Sequence, residues 1–347
     1  MKYRLLADTG VFVSELCLGT MTFGEEWGWG AGASESRAIF DAFAAAGGNF
    51  IDTAQIYTDG TSEKLVGELI AGDRDHFVVA TKYTPSKAGD VAKSGNSRKN
   101  MMRSVKESLD RLRTDHIDLY YLHMWDSTTP LDEILRGFDD LVRRGMVLYV
   151  AISDTPAWQV SRANAIADVR GWTPFVGIQV EYSLAERTAE RELLPMAQEL
   201  DLGIAAWSPL AGGALAGKYV QDGTPPGEKS ARKRPGVIPA RTLSIAAEVV
   251  AVAKEIGASP GQVALAWLRQ RTRHGSIIPI MGARTRAQID DNLKSLEVTL
   301  SAAAVERLDA ASRIDLGFPH EMLATQGVRT IMTGGHADRL DNHRLAA

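Results

Sequence analysis

Phe77-Val78-Val79-Ala80-Thr81-Lys82 is a run of strand formers that ends on a lysine, and it is one of a series. Before it, Asn49-Phe50-Ile51-Asp52 ends on an aspartate, with a tyrosine soon after in Asp52-Thr53-Ala54-Gln55-Ile56-Tyr57. After it, Ile117-Asp118-Leu119-Tyr120-Tyr121-Leu122-His123 ends on a histidine. Working outward, similar runs at 14–18, 147–152, 176–180, 202–206 and 275–279 bring the strand candidates to eight. Amphipathic segments begin between and around them near 34, 61, 98, 130, 155, 187, 241 and 285. Ser34-Glu35-Ser36, Thr61-Ser62-Glu63 and Ser259-Pro260 carry helix-start chemistry, a capping hydroxyl or a proline at the first helical position. Alternation of strand and helix implies parallel pairing through right-handed crossovers. Eight units in one α/β chain predict a closed (β/α)8 barrel rather than an open sheet.

Three segments stand outside the repeat. Residues 3–13, with Thr9-Gly10 as a turn, predict an N-terminal β-hairpin that caps the bottom of the barrel. Long loops follow strand 1 (24–33) and strand 7 (210–240), the latter basic at Lys229, Arg232, Lys233 and Arg234. Long insertions after barrel strands are usually functional, and the second is expected either to close over a cofactor or to be a solvated basic loop. From about 315 to 347 the periodicity weakens, which predicts a polar C-terminal tail. No linker or low-complexity tract divides the chain, so residues 1–347 are expected to form one barrel domain.

The 347 residues have ordinary globular composition and a formal net charge of -4, with a pI near 6.0. That balance argues against nucleic acid or an anionic membrane as a main partner. No apolar run is long enough for a membrane span or a signal peptide, so a cytoplasmic protein is expected. Cys17 is the only cysteine, forbids an internal disulfide, and reads as a small buried hydrophobe. His320, His336 and His343 lack a carboxylate or cysteine set, and no metal is expected.

In a barrel of this kind catalytic groups come from the C-terminal ends of the strands. Asp52, Lys82 and His123 fall at such ends and Tyr57 just beyond one. A tyrosine with an ordinary pKa near 10 is poorly matched to acid work at neutral pH. A neighbouring ammonium lowers that pKa, and Asp52 would keep Lys82 charged and in place. A histidine can donate to a carbonyl oxygen and orient it. The four together suit proton donation to an oxygen that is becoming an alkoxide.

Asp52-Thr53-Ala54-x-x-Tyr57, Lys82 and His123 resemble the catalytic tetrad of the aldo-keto reductase superfamily. Further motifs agree over nearly the whole chain to about residue 300. Leu18-Gly19-Thr20-Met21 resembles the family's first strand end, and Gly60-Thr61-Ser62-Glu63-Lys64-Leu65-Val66-Gly67 its G-x-S-E-x-x-x-G stretch. Trp207-Ser208-Pro209-Leu210-Ala211-Gly212-Gly213 is similar to the strand-7 motif of the bacterial branch and of potassium-channel β subunits. Ile280-x-Gly282-Ala283-Arg284 with Gln288, Asp291 and Asn292 resembles the adenosine-phosphate site of that branch.

The resemblance implies an NADP(H)-dependent oxidoreductase that moves a hydride reversibly between nicotinamide and an aldehyde or ketone. It implies NADPH as the cofactor, with NADH as the lesser choice. Trp207 would stack on the nicotinamide, and Ser153 and Gln179 would hold its carboxamide. Ser208, Pro209, Leu210, Gly212 and Lys218 would follow the pyrophosphate, while Arg284, Gln288 and Asn292 would meet the adenosine phosphate. Gly19, Thr20, Met21 and Asp52 would line the nicotinamide end. Two positions depart from the family pattern: Asp154 stands where an asparagine is common, and Gly282 where many relatives carry a lysine. His123 matches the carbonyl reductases rather than the relatives with glutamate or asparagine there. Trp27, Trp29, Tyr83 and Trp125 are expected to wall the substrate pocket, which would take a small-molecule carbonyl or alcohol. A second reading, from the channel-subunit likeness, is a nicotinamide-binding regulatory subunit with slow turnover and a protein partner. A third keeps the barrel for metal-assisted hydrolysis or phosphosugar isomerisation, but the required ligand spacing and phosphate loop are missing. Nothing in the chain chooses between a monomer and a homo-oligomer.

Overall fold

Side chains in a strand alternate between two faces, and in this chain apolar residues occupy both faces of the central strands. That pattern requires cover on both sides, and a barrel wrapped in helices supplies it. The computed structural model describes residues 1–86, 89–220, 238–271 and 275–341. A hairpin of β1 (Tyr3–Leu5) and β2 (Phe12–Ser14) comes first, paired antiparallel. The barrel strands are β3 (Cys17–Gly19), β4 (Phe50–Asp52), β5 (Val78–Tyr83), β6 (Ile117–Leu122), β7 (Val147–Ser153), β8 (Gly177–Glu181), β9 (Gly203–Trp207) and β10 (Ile277–Gly282). They run parallel in sequence order, and β10 closes on β3.

Helices α1 (Ala33–Ala45), α2 (Thr61–Ile70), α3 (Arg98–Leu112), α4 (Leu131–Arg143), α5 (Ala157–Arg170) and α6 (Leu193–Glu199) alternate with the strands. Two helices, α7 (Ala240–Ile256) and α8 (Pro260–Arg269), separate β9 from β10. After β10 come α9 (Arg286–Leu293), α10 (Ala302–Ser312), α11 (His320–Ala324) and α12 (Gln326–Met332). The predicted start at Ser259-Pro260 is a full capping box. Ser259 Oγ accepts from the Gln262 N–H at 3.2 Å, and Gln262 Oε1 accepts from the Ser259 N–H at 3.1 Å.

Two sequence boundaries move. The first strand candidate, 14–18, is divided: Ser14 ends the hairpin, held by its N–H on Asn49 Oδ1 at 2.7 Å, and the barrel strand starts at Cys17. The helical segment expected near 187 opens as a short turn at Thr188–Glu190, and α6 itself begins at Leu193. In that turn Arg187 and Glu190 join Arg271 and Asp309 around Trp267, tying α8 and α10 to the loop after β8.

The core has two shells. Leu6 and Val13 of the hairpin region, with Cys17, Phe50, Val78, Leu119, Ala151, Ala205 and Ile278, fill the barrel interior and its floor. Ile51, Val79, Tyr120, Val150, Ile204 and Ile277 face outward onto the helices. Each such aliphatic or aromatic side chain contributes about 1.5–3 kcal/mol when fully buried. Close helix approach is built in at Gly67, where a Cβ would come within 2.6 Å of the Leu112 carbonyl oxygen. The tail expected to lack periodicity forms α11 and α12 on the surface, with Phe318, Ile331 and Met332 exposed. It is fastened by Arg191 donating to the Asp315 carbonyl and by His320 against Glu192. Among the described residues, no helix is long and apolar enough to cross a membrane.

Candidate active site

Strand alternation decides what reaches the mouth. Phe50, Ala80, Tyr121, Ala151 and Ala205 point into the barrel. The residues two positions on, Asp52, Lys82, His123, Ser153 and Trp207, therefore face the same interior at the C-terminal ends. Lys82 is fully buried, and its Nζ donates to Asp52 Oδ2 at 2.7 Å, to the Thr53 carbonyl at 2.8 Å and to Tyr57 Oη at 3.2 Å. The Tyr57 ring stands edge-on to His123, with centroids 6.0 Å apart. The four polar residues read from the strand ends thus form one cluster.

Local structure explains how Tyr57 gets there. Thr58 and Asp59, just after it, take left-handed backbone angles of 44° and 57°, uncommon for residues with a Cβ. Thr58 is held in that conformation by its hydroxyl, which donates to the Phe23 carbonyl at 2.6 Å and accepts from the Ser62 N–H at 3.0 Å. Beneath lies a buried hydroxyl cluster. Ser62 Oγ sits 2.8 Å from Thr20 Oγ1 and 2.9 Å from Thr53 Oγ1, while Thr20 Oγ1 donates to the Asp52 carbonyl at 3.0 Å. Glu63 accepts from Thr81 at 2.6 Å and from Arg111 at 2.8 Å. The G-x-S-E-x-x-x-G stretch is therefore a brace for Asp52, Thr53 and β5, a role its pattern in sequence did not reveal.

Electrostatics refine the chemistry. Burial works to lower the pKa of Lys82, but Asp52 and Tyr57 outweigh it and leave the ammonium held above its ordinary value. For Tyr57 burial is the largest influence and raises the pKa, beyond what Lys82 takes away. The sequence expectation of a lowered phenol pKa is therefore reversed. Part of the Lys82 charge is answered by Asp52, and desolvation of a phenolate costs more than the remainder returns. Tyr57 is a protonated phenol at neutral pH, with a cation beside it to receive the charge when it donates. His123 is pushed down to about 3, chiefly by burial and also by the Lys82 charge. It is a neutral imidazole whose Nδ1 is buried without a hydrogen-bond partner among the described residues.

That shift has a stability consequence with a definite sign. The folded pKa, about 3, lies below the ordinary 6.5, so the unfolded chain takes up the proton first as pH falls. The contribution is complete above 6.5 and is lost as pH drops from there towards 3. Between pH 7 and about 5, wild type should lose about 1–2 kcal/mol more unfolding free energy than His123→Gln. Urea denaturation of both proteins at the two pH values measures this, and parallel losses would show that the imidazole is not buried as described.

Other predicted residues take varied places. Gln179 Nε2 donates to Asp52 Oδ1 at 2.8 Å, so this amide fixes the second oxygen of the carboxylate. Ser153 lies buried beside it in register. Tyr83 is not at the mouth: one residue past Lys82, it points outward, stacks on Tyr120 at 5.6 Å and is fully buried under Phe138. Strand alternation excludes it from the pocket. Trp27 and Trp29 pack together at 5.7 Å, half-buried on the loop after β3. Trp125 meets Trp158 edge-on at 5.9 Å, and Trp158 is 59% exposed at the start of α5. Trp158 was not singled out in the sequence, where it is one helical residue among many. Asn96 and Asp126 were also missed. Asn96 donates to the Met124 carbonyl, and its N–H reaches Asp126 at 2.7 Å, locking the loop that carries Trp125. Burial raises the Asp126 carboxyl, but its bonds from Asn96, Thr128 and Thr129 win and hold it at about 2.

Above β9 the chain makes a tight, glycine-rich turn. Ser208, Ala211, Gly212 and Gly213 have left-handed φ angles between 48° and 98°, and the Ala211 and Gly213 N–H groups close the turn on the Ser208 and Leu210 carbonyls at 2.8 Å. Lys218 Nζ lies 3.8 Å from where a Cβ on Gly213 would stand. Pro209 is buried, and Leu210 half-buried. Across the mouth Gly282 is exposed, with nothing nearer than 3.9 Å to a Cβ built on it. Arg284 is half-buried, its N–H bonded to Gln288 Oε1 at 2.8 Å, and Asn292 is buried on α9. Asp291 instead joins the Ser259–Gln262 cap. Gly19 is required by packing, since a Cβ there would sit 2.7 Å from Ile280 Cγ2. Thr20 is committed to the hydroxyl cluster and Met21 is half-buried at the rim. The basic part of the loop after β9, Lys229 to Arg234, lies outside the described residues. Among those residues no group of three His, Cys, Asp or Glu side chains has the geometry to hold a metal. A flat indole, a glycine-rich turn with Lys218 beside it and open backbone at Gly282 fit a dinucleotide with a phosphate-bearing adenosine.

Comparison with known proteins agrees with this geometry. Residues 15–313 match the aldo/keto reductase family. Norsolorinic acid reductase of Aspergillus flavus is 36% identical over 349 residues, covering 95% of this chain and 87% of its own. Norsolorinic acid reductase B of Dothistroma septosporum is 40% identical over 339 residues, with 93% and 85% covered. Aryl-alcohol dehydrogenase [NADP(+)] of Phanerodontia chrysosporium is 37% identical over 373 residues, with 97% and 93% covered.

Proposed function

The chain belongs to the aldo/keto reductase family, and from that premise we propose that it reduces aryl carbonyls and oxidises the matching alcohols with NADP(H). The observation that carries the reading is Lys82 Nζ set between Asp52 Oδ2 at 2.7 Å and Tyr57 Oη at 3.2 Å, beside His123, whose Nδ1 has no partner among the described residues. When bound, the nicotinamide supplies or accepts a hydride at the carbon of the substrate. Tyr57 gives its phenolic proton to the oxygen that is gaining charge. Lys82 stabilises the resulting phenolate, and Asp52, held by Gln179 and Lys82, keeps that ammonium in place. His123, neutral, donates to the carbonyl oxygen and aligns it.

For the cofactor, Trp207 offers the stacking face and Ser153 the carboxamide contact. Ser208, Leu210, Gly212 and Lys218 follow the pyrophosphate. Arg284 and Gln288, with Asn292 behind them, receive the adenosine phosphate at the start of α9, where helix N–H groups favour anions. Trp27, Trp29, Trp125 and Trp158 support an aromatic substrate, consistent with the aryl alcohols named for the Phanerodontia relative. The strand-7 motif supports placing the chain in the branch that includes bacterial reductases and channel β subunits. We take it as one barrel domain with a surface tail from about 315, working in the cytoplasm.

NADPH consumption measured with matched aryl and alkyl aldehydes and ketones tests this. Turnover is expected, with kcat/KM for the aryl aldehydes higher by about tenfold, the scale of one added aromatic contact. Tight NADPH binding without turnover of any carbonyl would favour a regulatory nicotinamide-binding protein instead.

A further inference from the structure

Asp154 is a charge at this mouth that the proposed chemistry does not use. It follows Ser153 at the end of β7, and its Oδ1 accepts the Trp207 indole N–H at 3.1 Å. The indole that offers a stacking face is thus pinned at its edge by a carboxylate. The backbone is equally committed: the Asp154 N–H reaches the Gln179 carbonyl at 3.4 Å, and its own carbonyl accepts from Trp125 at 3.5 Å. The carboxylate also lies close enough to feel the Lys82 charge and to oppose ionisation of the Tyr57 phenol. Lys82 is already paired with Asp52, and His123 is neutral, so neither is a dedicated counter-ion for Asp154.

The two redox forms of a nicotinamide dinucleotide differ in charge only at the ring. It is a cation when oxidised and neutral when reduced, while the phosphates are the same in both. We propose that Asp154 is a positioning residue whose carboxylate makes this site bind NADP+ in preference to NADPH. The inference rests on the oxidoreductase reading and deepens it. An indole-edge carboxylate attracts a pyridinium stacked on that indole. Alcohol oxidation then starts from the tighter-binding cofactor, and carbonyl reduction ends with it.

Asp154→Asn isolates the charge. Asn keeps an oxygen to accept from Trp207, and it tolerates the left-handed φ of 42° found here. The measurement is quenching of tryptophan fluorescence by NADP+ and by NADPH, in wild type and variant, in mildly alkaline buffer. The ratio of the NADPH Kd to the NADP+ Kd is expected to fall about tenfold in Asp154→Asn, the scale of one charge interaction near a protein surface. A ratio unchanged by the substitution overturns the inference alone. So does equal weakening of both forms, which would leave Asp154 as no more than a clamp on Trp207. Failure of wild type to bind either form would overturn the oxidoreductase reading, and this inference with it.

Discussion

Tyr57→Phe is expected to lower kcat for carbonyl reduction by about 10²–10⁴, the usual contribution of a positioned general acid, while NADPH still binds. The phenol is the group within reach of Lys82 whose proton is available, since His123 is neutral and carries its single N–H for orientation. Phenylalanine keeps the ring and its edge-on contact with His123, so the cavity stays filled and only the proton and the Lys82 contact are removed. KM should change far less than kcat, because the proton transfer belongs to the transition state. The raised pKa of Tyr57 adds a pH signature: reduction should hold steady through neutral pH and decline only once the phenol ionises. Single-turnover reduction at wild-type rate in the Phe variant would remove Tyr57 from the proton-donor role.

Lys82→Met is expected to cost about 3–5 kcal/mol of stability as well as activity, because it strands Asp52 in a site from which water is excluded. The pair is 0% and 4% exposed at the side chains, so bulk solvent cannot repay the lost partner. Asp52 would keep the Gln179 amide on one oxygen and lose the ammonium on the other. Adding Asp52→Asn to Lys82→Met should restore much of the stability by removing the uncompensated charge, yet leave the enzyme inactive. Urea unfolding of wild type, both single variants and the double variant measures the coupling. Additive losses would mean that the pair does not act as a unit. Full activity in the double variant would show that neither residue tunes Tyr57.

Much of the site was legible because barrels place function by a simple rule. Interior-facing residues recur every second position, and the last of them on each strand reaches the mouth. Applied to Phe50, Ala80 and Tyr121, the rule gives Asp52, Lys82 and His123. It also excludes Tyr83, whose aromatic character had suggested a pocket wall. Trp158 escaped notice because a helical tryptophan carries no sign of which loop it meets. Asn96 was silent for a similar reason, as its partners Asp126 and Met124 lie about thirty residues away in the next βα unit.

The sequence by itself determined the eight strand–helix units, the hairpin floor, and the order of acid, phenol, ammonium and imidazole. Those follow from local periodicity and strand-end positions, which depend on near neighbours in the chain. Only the tertiary structure decided that Gln179 holds Asp52, that Asp154 holds Trp207, and that burial leaves Tyr57 a firmly protonated phenol. Each depends on which residues from distant strands share a space without water. There, desolvation competes with charge at energies that no single stretch of sequence specifies.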